Sequence, residues 1–374
     1  AEASAPLLGV ARTLGAPVVT TWMGKGAIPE DDPLFGGAIG DTGSTCGNRL
    51  AAEADVLLAV GCRFTDWSAS SYRRGVTFGI PPSRLVQIDV DPHELGKNYP
   101  VEIGIVADAQ SALVDLLSAL EERHPSPDDA YREEIAGLKA EWSRLQDGKR
   151  LSEARPMTQA RAIREIRAAA DRGAIVTSGA GVVQAVVRQD WETYEPRTHI
   201  TSGGFSTMGF TVPAALGAKL AQPDRQVIAM AGDGDFLQTM QEIALAAMWD
   251  LPVLFVVLNN HGWISIKGGQ IATFGRPTMT DFVCPDGSSY SPDFRAVGHA
   301  FGLESSRVDD PAELRAQAAR LLASGGPALL EVTVAREHPD AGLIKTGWWD
   351  VPVHEGRTEA RAAYEAGRAE EQHL

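Results

Sequence analysis

Residues 226–231 (QVIAMA) and 253–258 (VLFVVL) are almost unbroken apolar runs, and residues 236–249 between them carry apolar side chains at helical spacing. Runs without polar alternation suit strands covered on both faces, the condition of a parallel sheet in an α/β protein. A strand, a crossover helix and a second parallel strand form a right-handed unit that returns the chain to the same sheet edge. The pattern recurs along the chain. Residues 16–21, 54–61 and 83–90 read as strands of a first series, with helices near 48–54 and 108–123. Residues 173–178, 225–232, 252–259 and 327–335 read as strands of a second, with helices over 158–170, 212–220, 236–249 and 311–324. The expected fold class is α/β, with two parallel-sheet, three-layer domains. The first spans 1–123 and the second 156–335. Between them, 124–155 reads as a connection, a Pro- and Asp-rich loop followed by a charged helix too polar for a core. Residues 336–374, rich in Trp, Gly and charge, read as a tail that wraps over a neighbour.

A chain of 374 residues with 44% hydrophobic content has material for two or three such domains. Its formal charge of -15 speaks against nucleic acid or an anionic membrane surface as partner, since both call for clustered Lys and Arg. No window of 18 uninterrupted apolar residues occurs, so a membrane span is not expected. Cys46, Cys62 and Cys284 match neither a zinc spacing nor a disulfide framework, so they read as reduced thiols in a cytoplasmic setting. Ala5, Leu7, Leu8 and Ala11 already lie at helical spacing, and without an initiating Met the natural start is expected upstream.

If 226–231 and 253–258 are parallel neighbours, Asp233 and Asn260 both follow strand carboxyl ends, 27 positions apart in sequence and close in space. One carboxylate and one amide oxygen are hard donors that suit Mg²⁺, which relies on substrate phosphates to complete its octahedral shell. Gly232 and Gly234 permit a sharp turn and close backbone approach, and the helix after them offers free amides to an anion. Residues 178–184 (SGAGVVQ), with Gly179 and Gly181, form a second strand-to-helix turn suited to the other side of a phosphate cradle. Residues 203–210 (GGFSTMGF) make a flexible turn bearing one large apolar side chain, Met208. The expected ligand is a metal-bound diphosphate. A Mg²⁺-dependent phosphotransferase is disfavoured, because neither a GxxxxGK loop nor a basic phosphate clamp is present.

The GDG of 232–234 followed by the Asn259-Asn260 pair resembles the hallmark of thiamine diphosphate (ThDP) enzymes of the acetolactate synthase type. TWMGKGAIPEDDPLFGG, VGCRFTDW and IDVDPHELGKN in the first half resemble the central domain of the same family. The resemblance implies a central domain over 1–123, incomplete at its start, and a ThDP- and Mg²⁺-binding domain over 156–335. It implies Mg²⁺ ligation by the side chains of Asp233 and Asn260 and the carbonyl of Gly262. Gly181, Val182, Val183 and Gln184, and Gly234, Asp235 and Phe236, would surround the diphosphate, with Gly179 and Gly232 also among the cofactor-binding residues. Ser206 and Met208 would hold the pyrimidine through their backbones, with the Met208 side chain as the prop that keeps the cofactor bent. The cofactor supplies the carbanion and electron sink, and the protein supplies geometry. The implied substrate is a 2-oxo acid such as pyruvate. A cyclic 1,2-dione hydrolase is the alternative, also suggested by WWDVP near the end. A non-catalytic ThDP-fold subunit is the reading from another class, and the retained metal ligands and Met208 speak against it.

In this family an N-terminal domain supplies the glutamate that activates the pyrimidine. No counterpart is found here, so the chain alone is expected to lack efficient catalysis, and a missing N-terminal domain or complementary subunit is implied. A homodimer or tetramer is implied as well. Arg63 and residues 41–44 occupy positions that contact FAD in acetolactate synthases, yet several relatives keep the fold without flavin, and the balance falls against FAD. His261 and His199 are expected to serve local structure, although either could face substrate. Lys267 reads equally as a solvated loop lysine or an anion contact. Trp348 and Trp349 could close over the site or pack between subunits.

Overall fold

The computed structural model describes residues 2–337 and 353–369. Among these, residues 2–145 and 353–369 form one compact unit and residues 146–337 another.

The first unit runs α1 (Ser4–Leu14), β1 (Val18–Thr20), β2 (Phe35–Ala38), α2 (Thr45–Ala52), β3 (Val56–Val60), β4 (Arg84–Asp89), β5 (Ile103–Val106), α3 (Ala109–Arg123) and α4 (Asp129–Arg150). All its strand pairs are parallel, β1 with β2 and β3-β4-β5 in a second ladder. Phe64, Phe78 and Tyr99 pack edge to face in its core, at centroid separations of 5.1–5.7 Å. The charged helix predicted as a polar connection instead packs into a second, smaller cluster of this unit. Helix α4 buries Ile135 and Leu138 beside Cys46 and Leu50, a stripe that its many charges conceal in a linear reading.

The second unit continues with α5 (Gln159–Ala169), β6 (Ile175–Ser178), α6 (Val182–Asp190), β7 (His199–Thr201), α7 (Thr211–Ala221), β8 (Val227–Gly232), α8 (Asp233–Thr239), α9 (Ile243–Met248), β9 (Val253–Asn259), α10 (Ile264–Phe274), α11 (Phe294–Ala300), β10 (Glu304–Val308), α12 (Pro311–Leu322) and β11 (Ala328–Thr333). A last helix, α13 (Thr358–Ala369), occupies the described part of the predicted tail. The sheet of the second unit is six-stranded and parallel, in the order β10-β11-β9-β8-β6-β7.

Alternate residues of its central strands are buried on opposite faces, which is why the runs are continuously apolar. Ile228, Met230, Leu254, Val256 and Leu258 meet Ile163 and Ile166 of α5, Val183 of α6 and Leu314 of α12. Val227, Ala229, Val253, Phe255 and Val257 meet Leu216 of α7, Phe236 of α8, Ile243 of α9 and Phe294 of α11. Each fully buried side chain of this size contributes roughly 1.5–3 kcal/mol to folding. The three-layer α/β expectation holds for this unit. Strands β2, β5, β7 and β10 lie outside the runs read from sequence; β10 (ESSRV) is a polar edge strand.

The single crossover helix predicted over 236–249 is broken. It begins earlier, at Asp233, and gives way to a 3₁₀ turn at Met240–Glu242 before α9. The cause is Thr239, held at φ -141° and ψ 23°, whose hydroxyl donates to the Gly209 carbonyl at 3.0 Å.

Candidate cofactor and metal site

Pairing of Gly232 with Leu258 across β8 and β9 brings Asp233 and Asn260 to the same sheet edge. Asp233 is 2% exposed and its Oδ2 accepts from the amides of Asn260 (3.2 Å) and Gly262 (3.1 Å), while Oδ1 accepts from Gly234 N (2.7 Å). Burial pushes the Asp233 carboxyl above its ordinary range, and the amides of Gly234, Gly262, His261 and Asn260 pull it back. The Oδ1 of Asn260, in a residue 4% exposed, has no hydrogen-bond partner. A buried acceptor left unpaired costs about 1–3 kcal/mol, and a cation beside a desolvated carboxylate removes that cost. The residues therefore fit a hard divalent ion. Among the described residues no group of three or more His, Cys, Asp or Glu side chains could hold a metal, so such an ion would need oxygens from a ligand.

The Gly-Asp-Gly segment is not the sharp turn expected. Gly232 has φ -76°, and Asp233 and Gly234 are already helical. Close approach is the real requirement, since a Cβ on Gly234 would lie 2.4 Å from Trp263 Nε1. Beside it, Val183 of α6 lies 3.4 Å from where a Gly232 Cβ would be, so α6 and α8 start side by side. Gly181 caps α6 at φ +87°, with open space at its Cβ position and no side-chain cap on the first amides. Val182, Val183 and Phe236 are buried in the core, Phe236 edge-on to Phe294 at 5.6 Å, leaving only their backbones for a ligand.

Asp235 has a role that sequence reasoning missed. Buried at 5% exposure, it accepts from the Gly209 amide and the Thr211 hydroxyl. Its oxygens would sit 2.7 and 2.8 Å from a Cβ on Gly179. Burial raises its carboxyl, and Thr211 and Gly209 lower it in part. Asp235 thus ties the Met208 turn to α8 and packs against the α6 turn. Gln184 adds a second tie, donating to Thr201 Oγ1 at 2.6 Å and accepting from Ser206 Oγ at 2.9 Å. On this seat Met208 stands 42% exposed, and Phe205 is 95% exposed.

An outer segment braces the metal-side loop. Trp263 N donates to Thr280 O (2.9 Å) and Phe282 N to His261 O (3.1 Å), while the Trp263 and Phe282 rings meet edge to face at 4.9 Å. The loop needs glycine at 262, because a Cβ there would meet Thr280 O at 2.5 Å. His261 adopts φ +58° and its Nδ1 lies 3.3 Å from Tyr290 O, a local structural bond. Lys267 is on helix α10, not in a loop, and its Nζ meets both Asp281 oxygens at 3.0 Å. His199 lies on β7. Elsewhere, Ser44 caps α2 by accepting from Gly47 N at 2.9 Å, and the Arg63 side chain is exposed. Trp348 and Trp349 lie outside the described residues.

A parallel sheet with a buried acid and amide at the carboxyl ends of two neighbouring strands, opposite uncapped helix amides, has the arrangement in which α/β proteins bind ligands. Residues 179–332 match the model of the thiamine pyrophosphate enzyme C-terminal TPP binding domain, and residues 1–116 match that of the thiamine pyrophosphate enzyme central domain. The chain belongs to the thiamine diphosphate enzyme family. Among named proteins, it is similar to a probable acetolactate synthase large subunit of Methanocaldococcus jannaschii, 33% identical over 334 residues, covering 89% of this chain and 55% of that protein. It is 34% identical to the acetolactate synthase large subunit of Parasynechococcus marenigrum over 322 residues (86% and 50%), and 31% identical to that of Haemophilus influenzae over 321 residues (85% and 54%). The chain spans about half the length of these relatives. Among the described residues no helix is long and apolar enough to cross a membrane.

Proposed function

We propose that the chain is the cofactor-holding portion of a ThDP- and Mg²⁺-dependent enzyme that forms or cleaves a C–C bond beside the carbonyl of a 2-oxo acid such as pyruvate. The observation that carries this reading is the unpartnered, buried Asn260 Oδ1 beside Asp233 at the edge of β8 and β9. Asp233, Asn260 and the Gly262 carbonyl would hold Mg²⁺, with diphosphate oxygens filling its shell. The amides of Gly181, Val182, Val183 and Gln184, and of Gly234, Asp235 and Phe236, would face the diphosphate, with Gly179 and Gly232 keeping the approach free of side chains. Ser206 and Met208 would receive the pyrimidine, Met208 acting through its bulk. When bound, ThDP supplies the stabilised carbanion that reacts at the substrate carbonyl. The protein's part is to anchor the diphosphate end and to prop the reacting end on the Met208 side chain.

Residues 156–335 form the cofactor domain in this proposal. A homo-oligomer is part of the same proposal. Calorimetric titration tests the reading: ThDP is expected to bind only with Mg²⁺ present, and Asp233→Ala to abolish binding. Equal binding by that variant would refute it. The isolated 374-residue chain is expected to bind cofactor without efficient pyruvate turnover, and robust turnover by it would refute that expectation. Comparing pyruvate with cyclohexane-1,2-dione in the intact enzyme separates the 2-oxo acid reading from a dione hydrolase.

A further inference from the structure

Glu331 is a charge in the interior of a central strand. It is 1% exposed on β11 between Leu330 and Val332, in register with Val257 of β9 and Arg307 of β10. A carboxylate there is costly to desolvate, and an apolar residue would suit the strand better. Its oxygens are fully engaged. Oε1 accepts from Arg307 Nη2 (3.0 Å) and Asn259 Nδ2 (3.0 Å), and Oε2 from Arg307 Nη2 (2.9 Å) and Arg295 N (3.1 Å).

The contact with Asn259 leads to the metal-side loop. Asn259 is 2% exposed, and its Nδ2 also donates to Ser291 Oγ at 2.8 Å. With both amide hydrogens taken by acceptors, its Oδ1 faces the other way and accepts from His261 N at 3.3 Å. A flipped amide would set its oxygen against the Glu331 carboxylate and its NH₂ against the His261 N–H, two repulsive contacts in a low-dielectric interior. The peptide so held joins Asn260 to His261, a residue at φ +58° that needs external support to stay there. The charge on Glu331 therefore selects one of two orientations of the amide beneath the loop.

We infer that Glu331 is a positioning residue for the metal-binding loop: acting through the Asn259 amide, it fixes the Asn260–His261 peptide and with it the donor groups of Asn260 and Gly262. This rests on the Mg²⁺ reading above. Outer partners of metal ligands typically affect affinity by about 10–100-fold, and Glu331, one residue further out, belongs at the low end.

The test uses Mn²⁺ as the probe, followed by electron paramagnetic resonance with saturating ThDP, together with hydrogen exchange of the unliganded chain. Glu331→Gln is expected to weaken Mn²⁺ binding about tenfold and to speed exchange at the His261 and Gly262 amides. Ser291→Ala, which acts on the same amide from the more exposed side, is expected to shift both in the same direction by a smaller factor. The two variants should combine less than additively. Leu113→Ala, a fully buried α3 residue of the first unit, is the control: it should lower Tm and leave Mn²⁺ affinity unchanged. If the wild type fails to bind Mn²⁺ with ThDP, the cofactor reading falls and this inference with it. If the wild type binds and Glu331→Gln matches it in affinity and exchange, the positioning role alone falls. Should Glu331→Gln not fold, an unaltered affinity in Ser291→Ala overturns the role.

Discussion

Alanine at position 234 sets two effects of known sign against each other. Gly234 lies in α8 with ordinary helical geometry, where Gly→Ala gains about 0.5–1 kcal/mol from backbone entropy. The new methyl would meet Trp263 Nε1 at 2.4 Å and Cδ1 at 2.7 Å, separations that cannot persist. The indole cannot yield cheaply, because it is wedged edge-on against Phe282 at 4.9 Å and its backbone is pinned to Thr280. Overpacking of this kind costs about 1–3 kcal/mol, so a net loss of up to about 2.5 kcal/mol, centred on about 1 kcal/mol, is expected. For a unit of this size the central figure is a fall in Tm of about 2–4 °C. Gly217→Ala in α7 supplies the opposite case, an exposed helical glycine with nothing within 4 Å, and is expected to raise Tm by about 1–4 °C. Since Trp263 directly follows Gly262, Gly234→Ala should also weaken Mg²⁺-dependent ThDP binding, and Gly217→Ala should not. Melting curves and calorimetry on both variants decide the matter. A Gly234→Ala chain as stable as wild type, with unchanged ThDP affinity, would refute the account of the Gly234–Trp263 contact.

Asp235→Ala leaves the Gly209 amide without an acceptor, and a loss of about 1–3 kcal/mol in urea unfolding is expected. Burial raises the folded pKa of Asp235, so its charged form costs stability above that pKa and nothing once folded and unfolded states are both protonated. Wild type should accordingly gain on Asp235→Asn as pH falls from 7 towards the ordinary carboxylate range, and a gap independent of pH would contradict this. Burial pushes the Cys46 and Cys62 thiols up to about 11, so alkylation at pH 8 is expected to reach half-buried Cys284 first, as peptide mapping would show. Met208, at 42% exposure, should tolerate truncation to Ala with less than about 1 kcal/mol lost, while hydrogen–deuterium exchange at C2 of bound ThDP in the intact enzyme slows. Unaltered exchange there would remove Met208 from its proposed role.

The long apolar strands and the proximity of Asp233 to Asn260 were legible because both follow from one rule of crossover connections applied to continuous runs. Strand β10 was not, since an edge strand carries polar residues that local patterning assigns to a loop. The break after Thr239 was hidden for another reason: its cause is a hydrogen bond to Gly209, 30 positions away. Asp235 likewise reads as one more acid in a GDGD run until its partners on the Met208 turn are seen. The charge of Glu331 inside PALLEVTVA was a visible signal, because a strand core has no use for an isolated carboxylate. Its partners, on β9, β10 and the first turn of α11, could come only from the fold.

Helix α8 begins with Asp233, grips the Gly209 amide through Asp235 and the Gly209 carbonyl through Thr239. The residue that would meet the cation and the seat of Met208 are thus two ends of one seven-residue lever. On the proposed reading, a shift at either end would be felt at the other, so charge at the anchoring pole and pocket shape at the reacting pole would not be separate variables. Redesign that moves Met208 would then have to be balanced at Asp233.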